Sequence, residues 1–85
     1  MYVLAISTIT DAGRFWDGLK KLHGSLPAGA RWTLAVSSTD GTRAVNVIAH
    51  ESVDGVRTLF ARYAADSAVT EYREADAANA VGLGK

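Results

Sequence analysis

The sequence predicts an α+β domain made of two consecutive strand–helix–strand units. Two amphipathic helical stripes recur about 44 residues apart, and each lies between segments that have the composition of β-strands. A length of 85 residues suffices for one domain and leaves no room for a second. The predicted order of elements is therefore β-α-β-β-α-β.

The first predicted strand covers residues 2–9 and is apolar on both faces, as is typical of a strand buried on both sides. A helix follows, capped by Thr10 or Asp11, and continues to about His23. Gly18, in the middle of this helix, either allows a close approach to the sheet or a ligand or is a tolerated surface glycine, and we favour the second interpretation. The residues of this helix expected to face the core are Ala12, Phe15, Trp16, Leu19 and Leu22, and those expected to face solvent are Arg14, Asp17, Lys20 and Lys21.

The remaining elements are predicted from alternation and turn signals. Residues 31–38 and 43–50 alternate as strands, and the Thr-Asp-Gly-Thr sequence at 39–42 is typical of a hairpin turn. Ser52 caps the second helix. The fourth strand, residues 69–74, is strongly polar, as expected for a protected sheet edge.

The hairpin register decides which side chains share a face. A two-residue Asp40-Gly41 turn places Val36 opposite Val45 and Trp32 opposite Ala49. In this register one apolar face is expected to pack under the helices; it consists of Trp32, Leu34, Val36, Val45, Val47 and Ala49. A longer turn with a bulge at Gly41 is an alternative. It would move the side chains of the third strand to the opposite face relative to those of the second.

The predicted order is the ferredoxin-like, split β-α-β arrangement. Right-handed crossovers give a four-stranded antiparallel sheet of order 4-1-3-2 with both helices on one face. We expect residues 1–75 to form this domain and residues 76–85, with Val81 and Leu83, to form a tail that packs on a partner subunit. Since the helices cover one face only, we expect a second copy to cover the other, with Asn46 and Ile48 near the centre of the interface.

Composition excludes several classes of protein. Nine basic and nine acidic residues balance, and the absence of a basic run argues against nucleic-acid binding. The longest apolar run, residues 2–6, is too short to span a membrane. A strand that starts at residue 2 leaves no place for a signal peptide, so we expect a cytoplasmic protein. Without cysteine, a domain this small is expected to gain stability by dimerising.

The chain resembles the dimeric α+β barrel superfamily, whose subunits pair sheet against sheet. The resemblance rests on the duplicated strand–helix–strand pattern, the apolar first strand and the Leu-Pro-Ala-Gly loop at 26–29 before the second strand. The superfamily includes cofactor-independent monooxygenases, isomerases, polyketide cyclases and a small nickel-binding family. It therefore implies a homodimer and leaves the activity open.

Five residues are candidates for a ligand site: Asn46, His50, Trp32, Arg31 and Tyr72. Asn46, in a central apolar strand, must be hydrogen-bonded, either through an inter-subunit or side-chain-to-backbone bond or to a ligand that it orients. His50 is either a half-exposed imidazole at a strand end or a general base or metal ligand.

The residues themselves do not predict a metal or cofactor site. The two histidines, His23 and His50, have no metal-ligand spacing, and cysteine is absent. A metal site would need carboxylates such as Glu51, Glu71 or Glu74, or ligands shared across a dimer.

The residue patterns favour one function, and the resemblance to the superfamily implies two alternatives. The first is a small homodimeric binding or accessory protein of unknown ligand, for which a small hydrophobic molecule is a candidate. The second is a cofactor-independent monooxygenase, isomerase or cyclase that acts on a small aromatic or polyketide-like substrate. The third is a dimer that binds a divalent metal of the nickel type.

Overall fold

The computed structural model describes residues 1–82 and has the predicted elements in the predicted order. Their bounds are β1 Tyr2–Ile9, α1 Ala12–Gly24, β2 Arg31–Ser37, β3 Arg43–Ala49, α2 Val53–Ala64, β4 Ala68–Glu74 and a 3-10 turn at Ala77–Asn79. The strands form one antiparallel sheet in the order β2-β3-β1-β4. The ferredoxin-like fold class and the placement of strands at centre and edge are thus confirmed. The tail prediction for Leu83 lies outside the described residues.

Side chains cap both helices at their N-termini. The Asp11 carboxylate accepts a hydrogen bond from the Arg14 amide at 3.1 Å, and the Ser52 hydroxyl accepts one from the Gly55 amide at 2.9 Å. These bonds satisfy amide groups that have no partner within the helix. Of the two caps considered for α1, the structure uses Asp11.

The core lies between the helices and one face of the sheet. Its large members, Phe15 and Phe60, come from the helices and are buried. Opposite them the sheet presents small side chains, including Ala5 and Ala44, which leave room for the phenyl rings. The buried apolar core is Val3, Ala5, Phe15, Leu19, Leu22, Ala44, Ile48, Val56, Phe60 and Ala64.

The predicted assignment of the two sheet faces is wrong. Ile48 and Asn46 lie opposite Val3 and Ala5 of β1 and are fully buried under the helices. They therefore cannot form the centre of an interface on the open face. The residues of β2 and β3 that lie on the open face instead are Leu34, Val36, Val45, Val47 and Ala49. The cause is the small side chains of the other face, which fit beneath the bulky helix residues better than a valine-rich face would.

The predicted position of Trp32 is wrong because β2 has a β-bulge at Thr33. The register Val36 opposite Val45 is confirmed, but Trp32 pairs with Ile48 instead of Ala49 because the register shifts between Trp32 and Leu34. The extra residue turns Trp32 to the helix side of the sheet. The Thr33 hydroxyl donates a hydrogen bond to the Val47 carbonyl at 3.0 Å, which holds the bulge against β3.

Gly18 lies at the contact between the two helices, so its interpretation as a surface glycine is wrong. The residue is buried, and a Cβ built on it would overlap the carbonyl oxygen of Tyr63 in α2. Because the obstacle is backbone, it cannot move aside without moving the helix. Gly13, in the first turn of α1, has room: its nearest neighbour would lie 3.8 Å from a Cβ.

The β2–β3 turn is organised by Asp40. Its carboxylate accepts hydrogen bonds from the hydroxyls of Ser38 and Thr42, at 2.6 and 2.7 Å, and from the Thr42 amide at 3.0 Å. These bonds, that from Ser38 most strongly, lower the pKa of Asp40 from 3.8 to about 2, since they favour the ionised form. Gly41 supplies the positive φ of 77° that the turn requires.

The substitution Gly18→Ala is expected to destabilise the protein by about 1–3 kcal/mol, because α1 and α2 must separate to admit the methyl group. Gly13→Ala is the matched control, expected to stabilise by about 0.5 kcal/mol through the unfolded state. Urea unfolding followed by circular dichroism measures both free energies. Equal effects of the two substitutions would contradict close packing at Gly18.

The substitution Asp40→Asn is expected to destabilise the fold at pH 7. Because the folded-state pKa of Asp40 is lowered, its contribution is complete above the unfolded value of 3.8 and is lost as the pH falls through about 2. The difference in unfolding free energy between wild type and variant should therefore shrink as the pH falls across this range. Urea titrations at several pH values measure it, and a difference independent of pH would contradict the prediction.

Candidate functional site

A groove of about 300 Å³ lies between α1 and the edge strand β2. One face of α1 forms its first wall, because residues at i, i+3, i+4 and i+7 lie on the same side of a helix. The bulged half of β2 forms the second wall. The lining residues are Trp16, Leu19, Lys20 and His23 from α1, and Trp32, Thr33, Leu34 and Ala35 from β2.

The indole of Trp32 is fixed from several directions. Its Nε1–H donates to the Leu34 carbonyl at 3.0 Å and to Oδ1 of Asn46 at 3.1 Å. The ring lies 6.2 Å from that of Phe60 and 5.9 Å from that of His23, measured between ring centres. The groove therefore has a preformed aromatic wall that does not need to be ordered by a ligand.

Asn46 acts on the groove through Trp32. Its side chain is fully buried, and the hydrogen bond from the indole identifies the atom facing Trp32 as the amide oxygen. Among residues 1–82, its Nδ2 has no hydrogen-bond partner. An unsatisfied buried donor costs about 1–3 kcal/mol. The bond observed for Asn46 is thus neither inter-subunit nor to the backbone: it joins the amide oxygen to Trp32, a side chain that lines the groove.

The rim of the groove is basic. Lys20 and His23 are exposed and lie one helical turn apart on α1. No acidic side chain lines the groove, and within residues 1–82 neither Lys20 nor His23 forms an ion pair. The site thus combines an apolar interior with two nitrogen donors at one edge.

His50 lies away from the groove, at the start of α2. Its Nδ1 accepts a hydrogen bond from the Ser52 amide at 3.2 Å, and its ring covers Gly55 so closely that a Cβ there would overlap it. Together with the loop at 27–30 and Glu51, His50 lines a separate depression of about 130 Å³. Its observed contacts hold the first turn of α2 in place.

Arg31 and Tyr72, the remaining two candidates, lie on β2 and β4 and have different neighbours. The Arg31 guanidinium donates to the Tyr2 hydroxyl at 3.3 Å, at the end of β2. Tyr72 packs its ring 5.9 Å from Phe60, and the guanidinium carbon of Arg57 lies 5.1 Å from the centre of the tyrosine ring. Burial raises the pKa of Tyr72, although a hydrogen bond with the Thr70 side chain and the charge of Arg57 oppose this shift.

The structure therefore brings two of the five predicted residues, Trp32 and Asn46, into direct contact, and it connects Tyr72 to them through Phe60. Of the eight residues that line the groove, only Trp32 was among the candidates. The missed residues include an indole and two basic groups, those of Trp16, Lys20 and His23. Trp16 was assigned to the core and Lys20 to the solvent face. Their spacing with His23 was the available signal, since it places an indole and two basic groups on one side of the helix.

Residues 1–82 have neither a cluster of metal ligands nor a helix that could span a membrane. This part of the chain contains no group of three or more His, Cys, Asp or Glu side chains that could hold a metal ion. Neither of its helices combines the length and the apolar character that crossing a bilayer requires.

No family model matches the chain, and no curated protein and no solved structure is significantly similar to it.

Proposed function

We propose that the chain is a small homodimeric binding protein that holds a small apolar ligand in the groove between α1 and β2. The observation that carries the proposal is the groove itself, which has two tryptophans in its walls and, among residues 1–82, no acidic group. Its volume is at the lower end of the range of small-molecule sites, which are typically apolar with a few polar groups. Binding is favoured over catalysis because His50, the residue considered as a general base, does not line the groove.

Dimerisation is proposed through the open face of the sheet. Two half-buried residues, Ile6 and Val45, lie opposite each other in its middle, and Val36 is 49% exposed beside them. Charged side chains, including Arg43 and Glu71, lie around this apolar centre. An apolar centre with a polar rim is the usual composition of a protein interface.

Sheet-against-sheet pairing is also the arrangement of the dimeric α+β barrel superfamily, and on this ground we propose that the chain is a member. The tail is part of the proposed interface. A gap of about 330 Å³ separates Ala80 and Val81 of the tail from Leu4 and Val47 of the open face. Val81 is fully exposed, so its side chain is available to a partner subunit.

Ligand binding in the groove is tested with a neutral aromatic probe, 2-naphthalenemethanol. Both tryptophans of the chain line the groove, so both indole N–H resonances in the nitrogen–proton correlation spectrum should shift on titration. The substitution Ala35→Phe places a ring in the groove and should weaken binding at least about tenfold, which corresponds to about 1.4 kcal/mol.

Ala61→Phe is the control for this experiment, since Ala61 is exposed on α2 and does not line the groove. This variant should bind the probe like the wild type. Unchanged affinity in Ala35→Phe would contradict binding in the groove.

The dimer is tested by sedimentation velocity at micromolar concentration, where the wild type should have twice the chain mass of 9.0 kDa. Val45→Lys puts a charge at the middle of the open face and should shift the population to monomers, because an unpaired charge is costly to bury. Ala61→Lys, on an exposed helix position, should remain dimeric. A monomeric wild type would contradict the proposed pairing.

A further inference from the structure

We infer that the groove between α1 and β2 selects a planar aromatic carboxylate, with its ring against Trp16 and Trp32 and its carboxylate at Lys20 and His23. This inference rests on the proposed function, because it specifies the ligand of the same groove. It adds a charge requirement that an apolar groove alone does not impose.

The first support is the charge of the rim. Lys20 ends in an ammonium group with three N–H donors, and an imidazole presents at least one N–H donor in either protonation state. Within residues 1–82 no carboxylate forms an ion pair with either group, and none lines the groove. Two donors without an acidic partner, beside an apolar cleft, are complementary to an anionic ligand.

The second support is spacing. Lys20 and His23 lie at i and i+3 on α1, so that their side chains project from the same side of the helix. A carboxylate has two oxygens and can accept from both groups at once. The flexible stem of Lys20 lets its ammonium follow the ligand, while His23 is held against Trp32 with 5.9 Å between ring centres.

The third support is the shape of the interior. The Trp32 ring is fixed by hydrogen bonds to Leu34 and Asn46, and a rigid ring loses little conformational entropy when a flat ligand packs on it. Indole faces also attract cations. In this groove the attraction of a cationic ligand to the indoles is opposed, because His23 already packs against Trp32 and the ammonium of Lys20 repels a second positive charge.

The C-terminal end of α1 acts against the inference. Its carbonyl groups carry partial negative charge, and Lys20 and His23 lie in the last turns of the helix. This dipole effect is screened by salt and confined to the last turn. A full ammonium charge in direct contact with the carboxylate is therefore expected to exceed it.

The experiment compares three probes with one ring system: 2-naphthoate, 2-naphthalenemethanol and 2-naphthylmethylamine. Dissociation constants come from the shifts of the two indole N–H resonances in the 85-residue chain at pH 7 and low salt. We expect the acid to bind about fivefold more tightly than the alcohol, as for a charge-assisted contact at an exposed rim, and the amine to bind most weakly.

Two variants and one control test whether Lys20 and His23 cause the preference for the acid over the alcohol. Lys20→Met keeps the apolar stem and should reduce the acid-to-alcohol ratio, and the double variant Lys20→Met/His23→Leu should bring it to about one. Both positions are exposed, so the fold should be retained. Lys21→Met removes the same charge from the next residue, which does not line the groove, and should leave the ratio unchanged.

The outcomes separate the inference from the proposed function. Equal binding of acid and alcohol to the wild type overturns the inference and leaves the apolar groove standing as a binding site. If the double variant still prefers the acid, the inference is also overturned, because residues other than Lys20 and His23 would then recognise the carboxylate. If none of the three probes shifts the indole resonances, both the inference and the proposed function are overturned.

Discussion

The hydrogen bond from the Trp32 indole to the buried amide oxygen of Asn46 links the edge of the sheet to its centre. Without the bulge at Thr33, Trp32 would lie on the open face, because side chains alternate along a strand. The bulge and the hydrogen bond together bring the indole under the helices, where it contacts Phe60 and forms a wall of the groove. The core, the shape of the edge strand and the candidate site therefore depend on one contact.

This contact places a polar group inside an apolar core. The Asn46 oxygen is satisfied by Trp32, whereas its Nδ2 has no partner within residues 1–82. An apolar residue of similar volume at position 46 would avoid the cost of the unpaired Nδ2. It would also leave the Trp32 indole with one acceptor, the Leu34 carbonyl. A directional bond fixes the ring orientation in a way that apolar packing alone does not, and a binding wall benefits from a fixed ring.

Local sequence signals were sufficient for the fold. Caps such as Ser52, the turn at Asp40 and Gly41, and the helical stripes determined the elements and, with crossover handedness, the strand order. The sheet faces could not be assigned in the same way, because strands β1 and β3 carry apolar residues on both sides. Which face receives the helices depends on the fit of small residues such as Ala5 and Ala44 beneath Phe15 and Phe60, and this is a tertiary property.

The candidate site was predicted only in part, for a related reason. Asn46 and Trp32 were identified by their chemistry, but the contact between them requires the bulge, which has no proline or glycine to mark it. Lys20 and His23 were treated as solvent-facing and helix-end residues because a helical stripe shows which side is polar and not which strand lies beside it. Because edge strand β2 lies next to α1, Lys20 and His23 form the rim of the groove.

The two close glycine contacts differ in how evolution could alter them. At Gly55 the obstacle is the ring of His50, a side chain, so a larger residue at position 55 becomes acceptable if position 50 becomes smaller. At Gly18 the obstacle is the backbone of Tyr63, and no single side-chain replacement elsewhere can remove it. In a lineage of such proteins, positions 50 and 55 should therefore change together, whereas position 18 should stay glycine for as long as the two helices keep their separation.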